Sequence, residues 1–113
     1  MSARRVVVHA GVCGSVTEAT AASSDQQHVE FSVTGPCEKM QGLAAGLPAV
    51  DAYAEIGTGF EGQFHQVVRG ALSGCCSGCA VPVGLFKAMQ VAAGLALPAP
   101  VGMEFERIKD LRS

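Results

Sequence analysis

Residues His28 to Thr34 alternate without a fault: Val29, Phe31 and Val33 are apolar, and His28, Glu30, Ser32 and Thr34 are polar. A period of two marks a strand with one face buried and the other in water. Such a strand needs neighbours beside it and a layer above its apolar face. Arg5 to His9 is a short apolar run closed by Ala10-Gly11, which reads as a buried strand. Val16 to Ala22 reads as another, with Thr17, Ala19 and Ala21 on one side. Ser23-Ser24-Asp25-Gln26 supplies turn chemistry, making His28–Thr34 the second arm of a hairpin. Gly35-Pro36 then ends the strand just before Cys37.

The covering layer lies downstream. Met40, Leu43, Ala44 and Leu47 recur at helical spacing within Glu38 to Leu47, and Pro48 stops that helix. Ala49 to Gly59 reads either as a short strand or as an irregular link. Phe60, Phe64, Val67, Val68, Ala71 and Leu72 form a second helical stripe. Gly62 and Gly70 weaken it, at about 1 kcal/mol each against Ala. Pro82 suits the first turn of a third helix. Val83 to Ala93 is apolar nearly all round except at Lys87 and Gln90, which predicts a largely buried helix, with Gly94 as its stop. Beyond Pro98 and Pro100, the residues Val101, Met103 and Phe105 alternate with Gly102, Glu104 and Glu106, predicting a final strand before a polar tail from Arg107 to Ser113.

Three strands, three helices and a last strand predict an α+β fold. We expect two layers, a small mixed or antiparallel sheet with helices packed on one face. Residues 1–113 are then a single cysteine-rich domain. The chain is 49% hydrophobic and 16% charged, which excludes a disordered segment. With five Phe, one Tyr and no Trp, the core must be filled mostly by Val, Ala, Leu and Met.

The net charge is −2 and the basic residues are scattered, which argues against a nucleic-acid partner. The apolar run after Arg5 is too short for a secretion signal. The richest apolar stretch, Val91 to Met103, is interrupted by two prolines and cannot cross a bilayer. These features predict a soluble cytoplasmic protein without a membrane partner. In a reducing compartment a thiol cluster points to metal binding or catalysis rather than to disulfides. Five cysteines, an odd number, also exclude complete internal pairing.

Those cysteines are unevenly placed. Cys75, Cys76 and Cys79 fall within the run Gly74-Cys75-Cys76-Ser77-Gly78-Cys79-Ala80-Val81-Pro82, while Cys13 and Cys37 stand in earlier Gly- or Pro-flanked loops. Cys37 and Cys79 each precede a helix start, where backbone N–H groups and a partial positive charge favour an anion. Strand ends and helix starts can meet on one edge of such a domain, so four segments could deliver sulfurs to one point. Isolated buried cysteines often serve as small hydrophobes, but three on one glycine-rich loop are harder to explain that way. Adjacent Cys75 and Cys76 would seldom ligate the same ion, so one is expected to be spare. His9 is a candidate for a mixed site, His28 and His65 read as solvent-facing, and Glu104 and Glu106 offer no acid/base pair. No phosphate-binding loop is present.

Two family resemblances follow from these residues. Gly74 to Lys87, through Cys76-Ser77-Gly78-Cys79 and Phe86-Lys87, is similar to the cluster loop of the NifU-like C-terminal domain. Leu97-Pro98 and the segment from Val101 resemble that family's ending. This likeness implies an iron–sulfur cluster on paired cysteines, often shared in a homodimer, with Cys76 as a ligand. The chain departs from it at Ala80-Val81-Pro82, where that family has Pro-Ser-Ser, and in having Cys13 and Cys37.

The second resemblance spans nearly the whole chain, through His9–Gly14, Pro36-Cys37, Cys75–Pro82 and Val91–Pro98. These segments resemble a family of small uncharacterised cysteine-containing proteins of anaerobic bacteria and archaea. That likeness implies a four-sulfur site at Cys13, Cys37, Cys75 and Cys79, with no established activity.

The expected function is therefore a small metal- or iron–sulfur-cluster-binding protein with those four ligands and Cys76 as the alternative to Cys75. Its role would be electron transfer, cluster carriage or a structural centre, with an unknown protein partner. Zinc is the alternative to iron–sulfur, since four thiolates suit both. A thiol-redox protein using Cys79 with Cys75 or Cys76, and a plain protein-interaction module, are the other readings. Whether the chain is an enzyme stays open.

Overall fold

The computed structural model describes residues 2–11 and 13–108, and of Cys75 the backbone only. Strands β1 (Ser2–His9), β2 (Val16–Ser23) and β3 (His28–Thr34) form consecutive antiparallel hairpins. Helix α1 (Glu38–Gly46) follows, then the two-residue strand β4 (Val50–Asp51), α2 (Ala52–Thr58), α3 (Gln63–Ala71) and α4 (Val81–Ala92). The sheet order is β1-β2-β3-β4, all antiparallel. The four helices pack against it, giving the expected α+β class.

The register explains the layers. Val6 pairs with Ala19 and Val8 with Thr17, while Ala19 pairs with Val33 and Ala21 with Phe31. One face of the sheet is thus a largely apolar surface under the helices, interrupted by buried Thr17 and Ser23. Arg5, Val7, Glu18, Glu30 and Ser32 occupy the opposite face, where Arg5 and Glu18 form an ion pair. Two adjoining core clusters result. One contains Val8, Met40, Leu43, Phe64, Leu72, Val81 and Leu85. The other contains Ala21, Val29, Val50, Ala52, Ala88, Met89 and Ala92. Val6, Phe31 and Phe86 touch both, and Phe64 stacks between Phe31 and Phe86 at centroid distances of 5.6 and 5.3 Å.

Helix α4 lies across β1 and β2. A Cβ built on Gly84 would sit 2.7 Å from Val8 Cγ2, so only glycine allows this approach of helix to strand. Farther along, Ala88, Met89 and Ala92 pack with Ala21 and Val29, and Gly94 faces Gln26. Helix α4 therefore runs from the β1–β2 turn toward the β2–β3 turn.

Several expectations need correction. The segment Val101 to Phe105 is not a strand in the structure; it is irregular, exposed and pairs with nothing among the described residues. The fourth strand is instead Val50–Asp51, inside the stretch that sequence left ambiguous. The stripe from Phe60 to Leu72 is not one helix. A 3-10 turn at Gly59–Glu61 precedes α3, and extended Gly62 separates them. The carboxylate of Glu55, buried, accepts from the N–H groups of Gln63 and Phe64 and caps α3 at that break. His65 is half-buried rather than solvent-facing, ringed by Phe60, Phe64 and Phe86 at 4.9 to 5.2 Å. Val12 and the tail from residue 109 lie outside the described residues.

Candidate functional site: a thiol-bearing pole

Three separate segments carry the cysteines, and the topology brings them to one end of the sheet. The first is the β1–β2 turn holding Cys13, closed by hydrogen bonds from Ala10 N–H to Ser15 O and Gly14 N–H to Gly11 O. The second is the link from β3 to α1. Thr34 pairs with Glu18 near the start of β2, and a Cβ on Gly35 would lie 3.2 Å from Val16 O. Cys37 follows as the N-cap of α1, with its carbonyl accepting from Gln41 N–H at 3.1 Å. The third is a 3-10 turn at Gly74–Gly78, which leads through Cys79 into α4 at the end where Gly84 meets Val8.

Cys37, Cys76 and Cys79 are half-buried and pack against the same core cluster. Cys13 is exposed and outside that cluster. All four of these described thiols are free. Hydrogen bonding from the Ser15 backbone, and next from the Ser15 side chain, holds the Cys13 thiol below its ordinary pKa. Among the described residues, no three His, Cys, Asp or Glu side chains stand close enough to form a ready metal cage. His9 ends β1 at the same pole, while His28 sits at the other end of the sheet, bonded to Asp25.

At this pole Gln41 Nε2 donates to Gly35 O at 3.1 Å, but the helix starts lack side-chain caps. Neither Cys37 at the start of α1, nor Ser73 before the 3-10 turn, nor Ala80 at the start of α4 makes a side-chain capping bond. Gly74, at φ +65, turns the chain into the cysteine run in a conformation that disfavours other residues.

Cys79 also borders an open groove of about 460 Å³ between α3 and α4, lined by Phe60, His65, Phe86 and Lys87 among others. Sequence reading did not assign His65 or Phe60 to any site. The Phe60, Phe64, His65 and Phe86 ring depends on the break at Gly62, which turns the two Phe-bearing segments onto α4.

The fold and its thiol pole define a class: a small antiparallel α+β domain with free cysteines on three converging turns. The chain belongs to a family of unknown function, DUF6951, whose family model matches residues 4–105. All five cysteines lie within the matched range. This agrees with the second resemblance at the level of a family spanning nearly the whole chain without an established activity. Neither the curated proteins nor the solved structures gave a match. Among the described residues no helix is long and apolar enough to cross a membrane.

Proposed function

We propose that the thiol pole binds a metal centre, an iron–sulfur cluster in the first instance and zinc as the alternative, on Cys13, Cys37, Cys79 and one of Cys75 or Cys76. The observation that carries this reading is the arrival of three cysteine-bearing turns at one end of the sheet. The four described thiols are free, and Cys37, Ser73 and Ala80 make no side-chain capping bond. The donor set is all sulfur, which suits iron–sulfur clusters and Zn²⁺ and discriminates against hard cations. Because the described thiols form no ready cage, binding must draw the Cys13 turn and the 3-10 turn inward. Metal binding and ordering of the pole are then one event. The role is electron transfer, cluster carriage or a structural centre.

Anaerobic purification followed by iron, zinc and acid-labile sulfide analysis, with a visible spectrum, tests this. A broad brown absorption with iron and sulfide supports the cluster, and one zinc per chain supports the alternative. Folded, colourless, metal-free protein that takes up neither iron with sulfide nor zinc on reconstitution overturns the proposal. Cys75→Ser and Cys76→Ser then identify the ligand, since only one should lose the metal.

A second reading draws on the groove. Cys79 borders it beside His65 and Lys87, and Cys76 stands three residues earlier with its carbonyl accepting from Cys79 N–H at 3.1 Å. A thiol-redox protein would use the Cys79 thiolate to attack a substrate disulfide. Cys76 would resolve the mixed disulfide, releasing the reduced substrate and leaving a Cys76–Cys79 disulfide for an external thiol to reduce. Disulfide-reductase activity in metal-free protein, lost in Cys79→Ser and retained in Cys13→Ser, would favour this reading over the first.

A further inference from the structure

The segment from Leu95 to Ile108 leaves the domain with its large apolar side chains in water. Leu97 is 88% exposed and Phe105 93%, and Val101, Met103 and Ile108 are also exposed. The molecule measures 53 × 28 × 25 Å, about twice as long as it is wide. Residues 101–106 nevertheless keep a strict strand pattern, with Val101, Met103 and Phe105 on one side and Glu104 and Glu106 on the other. At the same time β1 is an edge strand, paired only with β2 along all eight residues. An open edge beside an unpaired strand-patterned segment is a site for strand addition.

We propose that residues 101–106 of one copy add to the β1 edge of a second copy, completing each sheet with a fifth strand in a two-fold exchanged dimer. The side chains fit this occupant. On β1, Val6 and Val8 point to the helix layer, while Arg5 and the half-exposed Val7 lie on the open face. A strand that sets Val101, Met103 and Phe105 toward the helix layer places Glu104 and Glu106 on the same face as Arg5. The incoming strand thus extends the apolar layer, and its carboxylates lie on the face where Arg5 pairs with Glu18. Residues 95–100 give a link of up to about 20 Å when extended. Pro98 and Pro100 stiffen it, and a stiff link that holds a segment off its own domain favours exchange between copies. No cysteine takes part in this contact.

The full chain is measured by light scattering after gel filtration and by amide hydrogen exchange. The expected result is a mass of two chains, with protection across residues 101–106 and across β1. Glu104→Pro removes a strand N–H, and Phe105→Glu removes the apolar contact. Each should convert the dimer to a folded monomer whose far-ultraviolet spectrum loses no more than the one added strand, and expose both segments to exchange together. A monomeric wild type with an unprotected tail overturns the proposal. A monomer with a protected tail means closure on its own β1 edge, and also overturns it. A dimer unmoved by both variants places the contact elsewhere, with the same consequence.

Discussion

The two ends of the sheet are built differently. At the β2–β3 end the chain is tied down by side chains. Asp25 accepts from the N–H groups of Gln27 and His28 and pairs with the His28 ring, while Gln27 donates to Asp51. Asp51 in turn accepts from Ala54 N–H and caps α2. At the thiol end, α1 and α4 start without a side-chain cap. One end is tied by a network of carboxylate side chains; the other closes its turns mainly through backbone hydrogen bonds, with Gln41 Nε2 donating to Gly35 O. The contrast teaches where an added ligand has work left to do.

The largest expected effect breaks the contrast from the thiol side. Removing a bound four-thiolate zinc would forfeit an apparent ~10–16 kcal/mol by analogy with closed zinc sites. Chelator titration followed by thermal melting should therefore lower Tm more than any single substitution discussed below. Hydrogen exchange should rise first in residues 10–15 and 74–80. Uniform loss of protection over both ends would erase the distinction.

Next come the contacts that position the thiol end. Gly84→Val drives a side chain into Val8 and should cost about 1–3 kcal/mol, the usual range for overpacking. Its effect should concentrate on β1 and the start of α4, visible as chemical-shift changes near Cys79. Glu55→Ala orphans the N–H groups of Gln63 and Phe64 and should cost about 2 kcal/mol in denaturant unfolding. An unchanged midpoint would mean that water replaces the carboxylate at that cap.

Smaller effects belong to the well-tied end. Asp51→Ala should lower Tm modestly and leave metal content unchanged. If metal content falls with it, the two ends are not separable.

Asp25 also raises the His28 pKa through the side-chain hydrogen bond between them, and His28 in return holds the Asp25 carboxyl well below its ordinary value. The His28 contribution is fully present below its ordinary value of 6.5 and fades as pH rises through the higher folded value. The Asp25 contribution holds above 3.8 and fades as pH falls through the depressed folded value. An NMR titration should find the His28 midpoint raised, and Asp25→Asn should bring it down. No movement in the variant would assign the raised midpoint to another group.

Much of the sheet was legible because β2 and β3 alternate and their turn carries Asp25. The first helix and α4 were legible from apolar spacing and from Pro48 and Pro82. The break at Gly62 was signalled only by the glycine itself, because its cause is Glu55, seven residues earlier and unremarkable in sequence. The last strand was misplaced because period two reports a suitability for pairing, not the presence of a partner. Val50–Asp51 was too short for any periodicity to register.

At the site, the sequence showed which loops carry thiols but not that they lie at one end of the sheet. Gly35 against Val16 and Gly84 against Val8 supply that placement, and each is a contact between residues distant in the chain. His65 read as a surface residue because its aromatic neighbours come from three different segments.

Strand β1 has two obligations. Its last residue leads into the Cys13 turn, and its outer edge is the longer of the two terminal edges of the sheet. A ligand bound at the turn and a strand added at the edge would act on one end and one side of the same strand, so the two proposed events would be coupled through β1. By reciprocity each should tighten the other by the same factor. Dimer dissociation constants with and without metal would measure that factor directly.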